Sequence, residues 1–131
     1  MEERRMKEFA AEFDPQPFHL DETAGKASVF KGLVASGWHT AAIAMRLLAT
    51  GGLPIAHGLI GFGGEVAWPK PTRPGDVLHI ESDVVEIVPS RSKPQQGMVT
   101  VRSRMLNQHG DVVYLLTAKL LVFRRTTRST I

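Results

Sequence analysis

An aspartate and a histidine flank a proline-stiffened turn, Asp14-Pro15-Gln16-Pro17-Phe18-His19. Each proline lacks a donor and drives its predecessor into extended backbone, so the turn has few conformations and can aim a carboxylate and an imidazole at one point. That pairing suits general acid and base chemistry near neutral pH. A structural use, with the aspartate as a cap and the histidine as a satisfied half-buried ring, fits the spacing equally and is commoner in proteins. Asp21 lies close enough to suggest a metal, but no second histidine stands at helical spacing and the chain has no cysteine, so the ligand set is incomplete. A serine nucleophile at Ser36, served by His39 or His19, would lack the G-x-S-x-G elbow. Gly61-Phe62-Gly63-Gly64 carries no Lys-Ser/Thr and is no phosphate loop.

A second source of chemistry is the start of the most apolar stretch, VASGWHTAAIAMRLLAT from Val34 to Thr50. Its apolar residues leave no wide polar face, which predicts a helix wrapped on all sides. Ser36 is a preferred N-cap and Gly37 lets a ligand approach the backbone. Unpaired N–H groups there, at the positive end of the helix dipole, would suit a carbonyl oxygen that gains charge. An ordinary capped helix start is the simpler alternative. Gly51-Gly52 and Pro54 end the helix.

The elements that would position these groups follow from the rest of the chain. Met6, Phe9, Ala10 and Phe13 mark an amphipathic helix over residues 2–13, and Asp21 caps a short helix over 22–28. Residues 59–68 read as a strand whose glycines mark a bulge or a close approach. After the rigid PKPTRPGD loop, strands are expected over 77–88, 98–107 and 112–123, consecutive and antiparallel across short turns. Val99, Val101, Ser103 and Met105 alternate with Thr100, Arg102 and Arg104, giving that strand one dry and one wet face. The long helix is the natural cover for the dry face.

With 131 residues and 43% apolar content, the chain is expected to form one domain over 1–125 with a loose tail over 126–131. The absence of cysteine and of any apolar run near the ~20 residues of a membrane span points to a soluble cytoplasmic protein. A net charge of +3 could signal nucleic acid, but the cations are scattered and aromatics amount to 7%, which excludes a stacking platform. The loop cations Lys70, Arg73, Arg91 and Lys93 would better suit the phosphates of a small anionic ligand.

The run FDPQPFHLDETAGKASVFKGLVASGWHTAAIAMRLL resembles the MaoC-like dehydratases, the (R)-specific enoyl-CoA hydratase branch of the hotdog-fold superfamily, and WPKPTRPGDVL is similar to that family's following loop. The resemblance covers nearly the whole chain and implies an α+β hotdog fold, an antiparallel sheet wrapped around a long central helix. It implies a hydro-lyase of fatty-acid metabolism that hydrates a trans-2-enoyl thioester to an (R)-3-hydroxyacyl thioester. Asp14 and His19 match the family's water-activating pair, and Gly37 matches the glycine whose N–H polarises the thioester carbonyl. Ser36 and Trp38, which flank Gly37, are expected to bind substrate.

No cofactor is implied, since coenzyme A or an acyl carrier enters as part of the substrate. The implied assembly is a homodimer with the pocket near its interface, without nucleic-acid or membrane partners. Gln16 stands where stricter hydratases have Asn, Ser36 where many have His, and Met45 where some have a helix serine. Members commonly carry a strand-forming segment before the first helix, so that strand is either missing or upstream of residue 1. A hotdog thioesterase using Asp14 as base or nucleophile, and a non-catalytic acyl-thioester-binding subunit, are the alternatives.

Overall fold

The computed structural model describes residues 1–52 and 58–124. Four helices precede four strands: α1 Glu3–Phe13, α2 Pro17–Leu20, α3 Glu22–Ala27, α4 Gly37–Leu47, β1 Ile60–Ala67, β2 His79–Pro89, β3 Gln96–Leu106 and β4 Val112–Phe123. The expected helix stop at Pro54 and the expected tail over 126–131 lie outside the described residues. Among the described residues no helix is long and apolar enough to cross a membrane.

Local chemistry accounts for the helical half. In α1 the fully buried Met6 packs in one cluster with Leu33 and Ala35, while the exposed side carries the Arg4–Glu8 and Lys7–Glu3 pairs. The proline loop is more ordered than a turn. Pro17 supplies the first residue of the one-turn helix α2, where its missing N–H costs nothing, and His19 sits within that turn. Asp21 caps α3, its carboxylate accepting Ala24 N–H at 2.8 Å.

The sheet is antiparallel with strand order β1-β4-β3-β2. β2, β3 and β4 follow one another as expected, and β1 joins outside β4. The alternation in β3 holds: Val99, Val101, Ser103 and Met105 are buried, and Arg102 and Arg104 are exposed. Ala44 of α4 packs with Met105, Val113 and Tyr114, so the helix lies on the dry face. The β1 glycines do mark a bulge, with the register against β4 shifting between Gly61 and Gly63. Gly64 lies against the Thr117 carbonyl, leaving no room for a side chain.

One expectation is corrected: α4 is not wrapped all round. β2, β3, β4 and α1 cover part of its circumference, and Trp38 (59% exposed), Ala42 and Met45 (47%) form an open apolar face. The helix also ends differently from a simple glycine stop, running into a π-helical turn over Leu48–Gly52.

Candidate active site

Asp14 ends α1, its N–H still bonded to Ala10 O at 2.8 Å, and its side chain is 15% exposed. His19 is 7% exposed at the side chain and approaches it through Nε2, 3.2 Å from Asp14 Oδ2. The ring is fixed from its other nitrogen: Nδ1 lies 2.8 Å from the Val34 carbonyl, which can only accept, so Nδ1 carries a proton. The Phe18 ring packs against it at 78° with centroids 4.7 Å apart. Nε2 is thus the nitrogen free to gain and lose a proton, beside a carboxylate.

Asp14 is held by three neighbours. Gln16 Nε2 donates to Oδ1 at 2.5 Å, Ser36 Oγ donates to Oδ2 at 2.7 Å, and His19 faces Oδ2. Burial opposes its ionisation. The Ser36 hydroxyl, then the Gln16 amide and the His19 ring, outweigh burial and hold the carboxyl below the usual carboxylate range.

Gly37 begins α4, and the hydrogen bonds of that first turn leave a single donor over. Trp38 N–H goes to Ser36 Oγ at 3.2 Å, while His39 and Thr40 N–H go to Ser36 O at 3.0 and 3.1 Å. Gly37 N–H has no acceptor among the described residues, at the positive end of the helix dipole. Asp14, His19, Gly37 and Trp38 all line one cavity of about 410 Å³, with Phe18, Phe30, Trp68 and Lys70 completing much of its wall. The sequence left open whether the helix start faces the Asp-His loop. The fold brings both onto one space.

Ser36 sits elsewhere than expected. It is fully buried and outside that wall, because its hydroxyl is spent between Asp14 and the first turn of α4. Trp68, which sequence reasoning passed over as the end of a strand, proves central. Its Nε1 donates to Gly37 O at 2.8 Å and its ring packs edge-on to Trp38, centroids 5.2 Å apart. A Cβ on Gly37 would lie 2.9 Å from the indole, so any side chain there must displace Trp68 or the turn. Of the loop cations, Lys70 reaches the cavity but pairs with Asp111 at 3.0 Å, and Arg73 donates to Phe30 O at 2.8 Å. Arg91 and Lys93 lie between β2 and β3, away from it. Among the described residues no three histidines, aspartates or glutamates cluster as a metal site.

A family model described as the MaoC-like domain matches residues 1–107. The chain belongs to the MaoC-like domain family. A crystal structure of a MaoC-like dehydratase from Rhodospirillum rubrum is 60% identical, with a TM-score of 0.94 over 96% of this chain and 86% of that one. The (R)-hydratase PhaJ1 of Pseudomonas aeruginosa is 28% identical, with a TM-score of 0.73 over 95% and 76% of the two chains. A mesaconyl-CoA hydratase from Cereibacter sphaeroides is 40% identical over 63 residues, 48% of this chain but only 18% of that protein. The antiparallel sheet around α4 in this MaoC-like domain is therefore the hotdog fold.

Proposed function

We propose that this MaoC-like protein is a hydro-lyase that reversibly hydrates a trans-2-enoyl thioester to the (R)-3-hydroxyacyl thioester, with coenzyme A or an acyl carrier as the thiol. The observation that carries the reading is that the Asp14–His19 pair and the free Gly37 N–H line the same cavity. The likeness to PhaJ1 and to a mesaconyl-CoA hydratase supports it.

In this mechanism one water lies between the Asp14 carboxylate and His19 Nε2. The pair takes a proton from it as its oxygen bonds to C3. The C2–C3 π electrons move toward the thioester, and charge builds on the carbonyl oxygen, which accepts Gly37 N–H. A preorganised donor of this kind contributes ~3 kcal/mol to the transition state. The pair then returns a proton to C2, so that H and OH of one water have been added and nothing else is consumed. A depressed Asp14 serves this role because the carboxylate stays ionised at neutral pH.

The test is loss of enoyl absorbance with thioesters from crotonyl-CoA to longer chains. Asp14→Asn and His19→Ala should each lower kcat by roughly a hundredfold to ten-thousandfold while circular dichroism stays native. Hydration at the unmodified rate by either variant would remove that residue from the mechanism. A thiol-reactive dye in the same assay separates the thioesterase alternative, which releases free thiol. We further infer a homodimer, formed on the side where the open face of α4 adjoins β1, whose Ile60, Phe62 and Val66 are exposed.

A further inference from the structure

The Ser36 hydroxyl is hydrogen-bonded to both halves of the site, the Asp14 carboxylate and the first turn of α4. It is completely buried, and its two hydrogen bonds dictate each other's direction. Trp38 N–H can only donate, so Ser36 Oγ accepts there at 3.2 Å, and its one proton is left for Asp14 Oδ2 at 2.7 Å. Asp14 is 22 residues away, at the end of another helix. No other side-chain hydrogen bond ties the described part of that carboxylate's loop to the first turn of α4, since Gln16 and His19 both belong to the loop itself.

We propose that Ser36 is a positioning residue for the hydratase reaction, fixing the Asp14 carboxylate relative to the Gly37 donor and holding it as an acceptor. The inference rests on the hydratase reading for its effect on rate, but its structural content stands apart from it. A lost cap at this position would only loosen the helix. A lost carboxylate donor has a different signature, because it makes Asp14 easier to protonate. The direction of the effect follows from the charge: the Ser36 hydroxyl stabilises the anion and is among the causes that lower Asp14 below its usual range.

The experiment uses the full chain with Ser36→Ala, Ser36→Gly and Ser36→Thr. Glycine is included because it replaces serine as an N-cap at little cost, which separates the cap from the carboxylate contact and provides a folded variant. Two readouts are taken: the pH profile of kcat/KM with crotonyl-CoA, and the titration of Asp14 by NMR with carboxyl-labelled aspartate. The alanine and glycine variants should show the acid limb and the Asp14 titration both moved to higher pH, with kcat down on the order of tenfold, as for a lost hydrogen bond to a charged group. Threonine, which keeps the hydroxyl, should restore both. An Asp14 titration unmoved in folded Ser36→Gly overturns the proposal, even if activity falls. A wild type that hydrates no enoyl thioester, with an Asp14 titration that still moves, overturns the hydratase reading and leaves the Ser36–Asp14 link standing.

Discussion

His39 is a buried imidazole, 9% exposed, whose Nδ1 has no hydrogen-bond partner among the described residues. Its ring stacks on Phe9 with centroids 4.6 Å apart and planes 10° from parallel. Burial, followed by the charges of Arg5 and the Met1 ammonium, lowers its pKa below the ordinary ~6.5. Arg46 and Glu2 line the same cavity, so the charges around the ring are mostly positive. The folded state therefore prefers neutral His39, whereas the unfolded chain protonates near ~6.5. The stabilisation is fully present above that value and is lost as pH falls through it toward the lower folded pKa. His39→Leu should flatten this part of the stability curve, read as the midpoint of urea unfolding at successive pH values; a slope identical to wild type between pH 6.5 and 5 would exclude His39 as its source. Residues of this kind were only partly legible. Asp14, His19 and Gly37 stand out in the sequence because prolines, a cap and a glycine act within a few positions of them. Ser36 was legible as a cap and illegible as a partner of Asp14, because that contact spans 22 residues and leaves no trace in any local period.

At the scale of elements, the first turn of α4 is held from two directions, by Ser36 from the Asp14 loop and by Trp68 from the end of β1. The indole closes over the Gly37 α-carbon so tightly that an added methyl group would sit 2.9 Å from Cε2 and 3.0 Å from Nε1. Gly37→Ala must push Trp68 aside or move the turn, and should cost ~1–3 kcal/mol of stability, as overpacking commonly does. Trp68→Phe is the gentler change, keeping an aromatic ring while deleting the donor to Gly37 O. It should cost about 1 kcal/mol in thermal or urea unfolding, with kcat falling more than KM rises. A KM effect alone would mean that Trp68 merely lines the pocket. The strands themselves were readable from period and turns, and the bulge from its glycines. The place of β1 beside β4 was not, because β1 is joined to the other strands by the long loop and no hairpin fixes its neighbour.

For the whole molecule, the decisive fact is the apolar surface that the described residues leave uncovered. Counting apolar residues around α4 foretold a helix enclosed on every side, but the count carries no information about which chain does the enclosing. Trp38 and Met45 are open on α4, and every residue of β1 is exposed, including Phe62 at 65%. Trp68 joins these surfaces, since it follows β1 and packs against Trp38. Among the described residues β1 pairs only with β4, and its other edge is the one a second copy would extend. A self-complementary contact of the usual size, about 800 Å² on each partner, would cover such a face and place the partner beside the Asp14–His19 cavity. Sedimentation equilibrium at micromolar concentration should therefore give a dimer. Phe62→Glu puts a charge where an aromatic would be buried, a loss of about 2 kcal/mol or more at a central contact, which weakens association by roughly thirtyfold or more. If Phe62→Glu remains as dimeric as wild type, the interface lies elsewhere, and if wild type is monomeric, the open face of α4 has some other occupant. If the partner helps close the cavity, the variant should also lose hydration activity in step with its monomer fraction, and raising protein concentration should recover both together.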